Sequence, residues 1–434
     1  MTDNTLPHIV IVGGGAGGLE LATSLGKKWG KQHKAIITLV DASPVHLWKP
    51  LLHEVAAGTL NSYEDELNYL AFASENYFQF CLGQFQAIDR TQKEIMLAPI
   101  YDEFQQVFMP LRKLKYTILV IAVGSLSNDF NIPGVREECL FLDTTAQAKY
   151  FHDYLLKMMM RLSYDQQANK KDFTIAIVGG GATGIELAAE LHYAIRQMKS
   201  YGFAFDPTLV KLKILDSAPK LLAMLPAHLS IAAKRNLEQL EIEVHTDERV
   251  TQVLPDGIVT AKGFVPTSMT IWAAGIKAPD FLKKLDGLET NNINQLLVKQ
   301  TLQTTIDDSI FAMGDCAYCL QSDSLKPVPP RAQAAHQQAS FLAKAIPNYL
   351  VQNPLPLYHY QDYGSLISIS NYETIGTLMS RVAKSLPIEG KLARLTYLSL
   401  YKMHQIALYG AWRVGMLMLA NAITRRIRPR LKLH

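Results

Sequence analysis

Gly13-x-Gly15-x-x-Gly18 and Gly179-x-Gly181-x-x-Gly184 each follow an apolar run, His8 to Val12 and Phe173 to Val178. Glycines at this spacing suit phosphate binding. The first permits a tight strand-to-helix turn, the second lets backbone approach a pyrophosphate, and the third lets helix and strand pack closely. The phosphates then meet N–H groups at a helix N-terminus. Each loop leads to a second hydrophobic strand and then an acid, Ile36 to Val40 with Asp41 and Leu212 to Leu215 with Asp216. A carboxylate there accepts hydrogen bonds from ribose hydroxyls and repels a 2′-phosphate; otherwise it is a solvated strand-end residue. No arginine follows Asp216 to hold such a phosphate, although Ser217 beside it would soften the discrimination.

Three further groups carry chemical potential. Glu186 lies just past the second loop, in what reads as the first helical turn, and Glu20 holds the matching place after the first loop. It serves either a reaction or only the helix dipole. Gln333 and Gln337 are four apart on a predicted helix, so both amides point to one face, as ligands for carbonyl groups or as a polar surface. Cys316-x-x-Cys319 has redox-like spacing. With no second cysteine pair or clustered histidines it reads first as two buried thiols, and no metal site is expected.

These residues need a scaffold, and the chain supplies it twice. HIVIVGGGAGGLELATSLG and FTIAIVGGGATGIELAAEL match in strand, loop and first helix, so two dinucleotides are expected in one chain. From Gly13 to Asp41 and from Gly179 to Asp216 are 28 and 37 positions, more than the usual spacing of about 20, which implies insertions after each first helix. Both repeats later reach a strand ending in small residues, VIAVGS at Val120 to Ser125 and WAAG ending at Gly275. At Gly124 and Gly275 backbone is expected to pass close to a bound nucleotide. SIFAMGDCAY, Ser309 to Tyr318, is a further buried strand ending in an acid, which returns the chain to the first repeat. The fold class is therefore α/β, with two nested dinucleotide-binding domains. The expected divisions are 1–125 and 271–348 for the first domain, 126–270 for the inserted one, and 349–434 for a C-terminal region of short strands and a basic tail.

A chain of 434 residues with 48% hydrophobic and 19% charged content is neither disordered nor fibrous. Four cysteines are too few for a disulfide scaffold, and the N-terminus shows no basic, apolar, cleavable leader, so a reducing, cytosol-facing location is expected. The net charge of +4 is unevenly placed. From Gly390 onward there is no acid, while Lys391, Arg394, Lys402, Arg413, Arg425, Arg426, Arg428, Arg430 and Lys432 make the tail strongly basic. Such a tail suits an anionic lipid surface; nothing suggests nucleic acid. Ile406 to Thr424 is long enough to span a bilayer. Arg413 near its centre is costly there, and Tyr397, Tyr401, Tyr409 and Trp412 suit an interface, so helices lying on the membrane are favoured over a span. A dimerisation helix stays open.

The nested plan, with VIAVGS, WAAG and IFAMGDCA in order, resembles the two-dinucleotide-binding flavoprotein superfamily that includes glutathione reductase. HLWKPLLHEVAAGTL after Asp41, the GIEL turn at Gly184, PPRAQAAHQQA and the tail resemble type II NADH:quinone oxidoreductases. The resemblance implies that Gly13, Gly15, Gly17, Gly18, Asp41, Lys49, Gly124 and Asp315 bind FAD, with Asp315 either at its ribityl or phosphate end or simply capping a helix. It implies that Gly179, Gly181, Gly184, Asp216 and Gly275 bind NADH. Glu186 would sit near the nicotinamide and the quinone side of the flavin and help deliver a proton. Gln333 and Gln337 match the family's AQ-x-x-x-Q pattern for quinone, with Arg331 standing where a threonine is expected.

Disulfide reductases of this superfamily carry a flavin-facing cysteine pair, and His46 to Ala57 has none. The expected function is thus a peripheral enzyme on the cytoplasmic face of the inner membrane. It would oxidise NADH through FAD and reduce membrane quinone without pumping protons, with a homodimer open. The alternatives are a sulfide:quinone oxidoreductase, which needs redox cysteines, and a soluble reductase with a protein acceptor.

Overall fold

Runs such as HIVIV and FTIAIV are apolar without alternation, as expected of parallel strands covered on both faces. The computed structural model describes residues 6–164, 173–321, 326–369, 373–378, 386–389, 401–424 and 431, and in it both runs become central strands. The chain divides into two compact units: Met1–Trp48 with Glu66–Leu126 and Ile276–Gln361, and Lys49–Asp65 with Ser127–Gly275 and Asp362–His434.

In the first unit five parallel strands stand in the order Ile310–Ala312, Ile118–Ile121, His8–Val12, Ile36–Asp41, Gln79–Leu82. In the second the order is Cys139–Leu140, Met269–Trp272, Phe173–Val178, Val210–Leu215, Glu243–His245. The loop strand and the acid-bearing strand are neighbours in both. Each sheet has a three-stranded antiparallel excursion at the same point of the repeat. These are Phe85–Asp89, Glu94–Leu97 and Arg112–Lys115 in one, and Val250–Leu254, Gly257–Thr260 and Gly263–Pro266 in the other. The repeats differ at one edge. The first sheet takes its edge strand from the chain that returns after the second repeat, which is the nesting read from the sequence.

The helix after the first loop is Ala16–Leu25 and that after the second is Ala182–Met198. The extra residues before Asp41 form a π-helical turn, Gly26–Gly30. Those before Asp216 come mostly from the longer helix and from two short 3₁₀ turns, Lys199–Tyr201 and Pro207–Leu209. In the second unit an antiparallel sheet of Gly364–Ile369, Glu373–Leu378 and Leu386–Glu389 follows, and its first strand packs on the Ala182–Met198 helix.

The stretch Ile406 to Thr424, long enough for a span but read as helices lying on the membrane, is divided. Residues 401–409 are helical, Gly410 turns the chain at φ +83°, and a second helix runs Ala411–Thr424. Among the described residues no helix is long and apolar enough to cross a membrane. Lys391, Arg394, Tyr397, Arg425, Arg426, Arg428, Arg430 and Lys432 lie outside the described residues.

Candidate functional site

The two loops repeat each other at atomic detail. Gly13 and Gly179 have φ of +104° and +120°, and a Cβ there would lie 2.3 Å from the Ala122 carbonyl oxygen and 2.6 Å from that of Ala273. Only glycine tolerates both the dihedral and the approach. At Gly18 and Gly184 a Cβ would fall 1.9 and 2.0 Å from the carbonyl oxygens of Gly13 and Gly179, so the third glycine closes helix against strand. At Gly15 and Gly181 a Cβ would meet nothing within 4 Å, so the backbone borders open space. These two glycines are the helix N-caps, with no side chain accepting from the first-turn N–H groups and no acid in either first turn. Open backbone and helix N–H donors without a side-chain cap fit a pyrophosphate in both units.

The strand-end acids are also alike. Asp41 accepts the Gly14 N–H at 2.6 Å on one oxygen and the Ser43 N–H at 2.8 Å on the other. Asp216 accepts the Gly180 N–H at 2.5 Å and the Ala218 N–H at 2.7 Å. They are loop supports, not solvated strand ends. A carboxylate offers about four lone-pair positions, so each retains acceptors for ribose hydroxyls. Burial pushes the Asp41 carboxyl up, and the backbone N–H bonds oppose that shift. Two residues that sequence reasoning passed over complete the first loop: Tyr69 Oη donates to the Gly14 carbonyl at 2.6 Å and His46 Nδ1 lies 2.9 Å from it. Facing a carbonyl, that nitrogen carries the proton.

Gly17, expected at the cofactor, has a packing role. A Cβ there would strike Met313 Cε at 2.4 Å and the Ala335 carbonyl oxygen at 3.0 Å, so it lets helices pack. Gly124 and Gly275 share positive φ, +71° and +62°. Lys49 belongs to the second unit, with Nζ 4.0 Å from Asp143 Oδ1. Asp315 lies inside a 3₁₀ turn, Gly314–Cys316, whose N-cap is Met313, so it is not itself the cap. Ser125 Oγ donates to it at 2.8 Å, and Gln295 Nε2 donates to its carbonyl at 2.8 Å.

Gln333 and Gln337 share the helix Ala332–Leu350, yet the Gln337 amide is closed on backbone. It donates to the Gln361 carbonyl at 2.8 Å and accepts the Gln361 N–H at 3.0 Å. The next residue, Gln338, accepts the Gly314 N–H at 2.7 Å and so ties the helix to the Asp315 turn. The doubled glutamine in HQQ was the available signal, but spacing alone could not assign the two roles.

Glu186 is the fifth residue of its helix, in the second turn, as Glu20 is of its own. Both are buried, so the helix dipole does not account for them. Glu20 pairs with His336 Nδ1, while Glu186 accepts the Ser368 N–H at 3.0 Å.

A family model for pyridine nucleotide-disulphide oxidoreductases matches residues 7–339. A type II NADH:quinone oxidoreductase of Haemophilus influenzae is 43% identical, over 99% of this chain and 100% of its own. The chain belongs to the type II NADH:quinone oxidoreductases. A Staphylococcus aureus protein of the same name is 27% identical over 89% of this chain and 92% of its own. In fold, the chain is similar to NDH2 from Plasmodium falciparum, solved in complex with NADH, at 20% identity and a TM-score of 0.83, covering 99% of this chain and 100% of that one. It is also similar to the sulfide:quinone oxidoreductase of Aquifex aeolicus, at 18% identity and a TM-score of 0.72, covering 93% and 92%.

The cysteines of this type II NADH:quinone oxidoreductase family member suit packing. Cys316 and Cys319 are buried and free, and burial pushes their thiols up to about 12 and about 11. A thiol so far above neutrality supplies almost no thiolate, the form that does redox and sulfide chemistry.

Proposed function

We propose that the protein oxidises NADH by hydride transfer to FAD and passes two electrons to a membrane quinone, attached to the lipid surface without spanning it and without pumping protons. The repeated loop in a member of this family carries the reading. Bound at the Gly13 loop, FAD supplies a hydride acceptor that can release electrons singly or in pairs. The residues of the chain orient the partners and manage protons. Gly13, Gly15 and Gly18 with the N-terminus of Ala16–Leu25 hold the FAD pyrophosphate, Asp41 the adenosine ribose, and Asp315, fixed by Ser125, the ribityl or phosphate end.

Gly179, Gly181 and Gly184 hold the pyrophosphate of NADH, and Asp216 favours its free 2′-hydroxyl over a 2′-phosphate. Gly124 and Gly275 give the two nucleotides close backbone, and Lys49 adds a cation toward FAD. Gln333 contacts a quinone carbonyl; Gln337 supports that role by holding Gln361. Glu186, oriented by the Ser368 N–H, delivers a proton to the reduced quinone.

Attachment rests on the Ala411–Thr424 helix. Trp412, Met416, Leu419 and Ile423 recur at helical spacing and are 81%, 54%, 60% and 63% exposed, an apolar stripe beside a basic tail. On the cytoplasmic face this stripe would lie in the interface; pairing of two copies through part of it is compatible with the same exposure. The deciding experiment follows flavin absorbance in purified protein. NADH is expected to bleach it and a short-chain quinone to restore it. Bleaching without restoration by quinone rejects the function.

A further inference from the structure

In the second unit the helix Thr145–Tyr164 is divided lengthwise, and its outer side is not an ordinary solvated face. Phe151, Leu155, Met159 and Leu162 lie on one side and are buried. At about 3.6 residues per turn, Tyr150, Tyr154, Lys157, Met160, Arg161 and Tyr164 fall within an arc of about 120° on the other. Tyr150, Met160 and Tyr164 are 62%, 43% and 88% exposed. Asp153 shares that arc and is the only acid in the helix, against Lys149, Lys157 and Arg161. A helix face that meets only water is ordinarily charged and polar throughout. Tyrosine rings tipped by hydroxyls, and cations carried on apolar stems, suit instead a boundary between water and hydrocarbon.

Contacts within the same unit lead from this face to the tail. Lys149 Nζ lies 4.2 Å from the centroid of the exposed Tyr63 ring, a cation–π contact. Tyr63 belongs to the short helix Ser62–Asp65, and Asp65 accepts from Tyr401 Oη at 3.4 Å. Tyr401 begins the helical residues 401–409, which lead through Gly410 into Ala411–Thr424. The tyrosine and basic face is thus joined, through two side-chain contacts, to the segment that carries the apolar stripe.

We propose that Thr145–Tyr164 is a second lipid-contacting element, which lays its tyrosine and basic face on anionic headgroups beside the tail helix. The proposal rests on the reading of the tail as the membrane attachment, and the contact adds to the tail without replacing it. Charge favours lipid over a second copy of the chain. Two copies of this face brought together would set cation against cation, whereas an anionic bilayer attracts Lys149, Lys157 and Arg161 alike. Lys157 and Arg161 would keep their heads among the phosphates, and the rings of Tyr150 and Tyr164 would lie at headgroup level.

The test uses the flavin-loaded full chain and vesicles of phosphatidylcholine with or without phosphatidylglycerol. Each Lys or Arg at an anionic surface strengthens binding about fivefold. Lys157→Gln with Arg161→Gln should therefore weaken binding to the anionic vesicles by about tenfold or more and flatten its dependence on salt. Tyr150→Ser with Tyr164→Ser should weaken binding to both kinds of vesicle. In wild type, which needs no substitution, acetylation of Lys157 followed by mass spectrometry should slow when anionic vesicles are added. NADH should bleach the flavin equally in every variant. Unchanged vesicle binding in both paired helix variants, with Lys157 acetylated as fast as before, overturns the proposal. Binding lost in Met416→Glu with Leu419→Glu but unmoved in the helix variants rejects the helix alone and keeps the tail. Wild type that binds neither kind of vesicle rejects the attachment reading and the proposal with it. Acetylation of Lys157 slowed by raising the protein concentration without vesicles assigns the face to contact between copies and overturns the proposal as well.

Discussion

Burying a carboxylate is costly unless something compensates its charge, and Glu20 is compensated by an imidazole. The Glu20 carboxylate bonded to His336 holds that imidazole above its ordinary value against the opposing effect of burial. A folded-state value raised above the unfolded 6.5 means that the pair's contribution is complete below pH 6.5 and is lost as pH rises through the folded value. Glu20→Gln should therefore lower the melting temperature more at pH 6 than at pH 9. The His336 side chain is 37% exposed, so screening limits the gap to about a degree or two. Equal losses at both pH values in a thermal shift series would show that His336 is not held as an imidazolium. Sequence exposed Asp41 and Asp216 because each ends the hydrophobic strand that follows a glycine loop and its helix, although both lie farther along the chain than the motif's usual spacing. It could not expose the division of labour between Gln337 and Gln338, because helical spacing gives a face and not the backbone that the face meets. For the same reason Tyr69, 55 positions from Gly14, escaped notice.

At the scale of elements, the strand, loop and helix of each repeat were legible because steric necessity writes them into the chain: continuous apolar strands, then glycines where a Cβ would strike the neighbouring carbonyl. Gly13→Ala and Gly179→Ala should separate the two nucleotides. The first is expected to yield protein without flavin colour. The second should keep the colour but need about tenfold more NADH to bleach it, since positive-φ strain and the clash each oppose the loop. Loss of flavin from the Gly179 variant alone would reverse the assignment of the loops. Less was legible where strands are short and half-polar. Arg112–Lys115, RKLK, offers one apolar residue to any periodicity argument. The π-helical turn at Gly26–Gly30 appeared only as an excess of residues before Asp41.

At the scale of the whole molecule, charge and hydropathy in the tail pointed to a surface-bound enzyme, but treated Ile406 to Thr424 as one stretch. Gly410 divides it, and the shorter helix carries the exposed apolar stripe. The paired change Met416→Glu and Leu419→Glu should abolish co-sedimentation with anionic vesicles while NADH still bleaches the flavin. Retained co-sedimentation would assign the stripe to contact between copies, and a larger species in gel filtration of the unchanged protein would agree.

The nesting of the chain also sets an order of assembly. Ser125 and Asp315 stand 190 positions apart, yet their hydrogen bond closes the sheet edge where Ile310–Ala312 joins Ile118–Ile121. Until the ribosome has delivered that distant strand, Ile118–Ile121 is an open sheet edge of four residues that end fully buried. Contacts of such high sequence separation form slowly, and an unpaired apolar edge invites pairing with another chain. The inserted unit, whose own edge strand Cys139–Leu140 precedes its loop, can complete its sheet during synthesis. The first unit must wait, which makes it the part of the nascent enzyme most exposed to aggregation and most in need of chaperone protection.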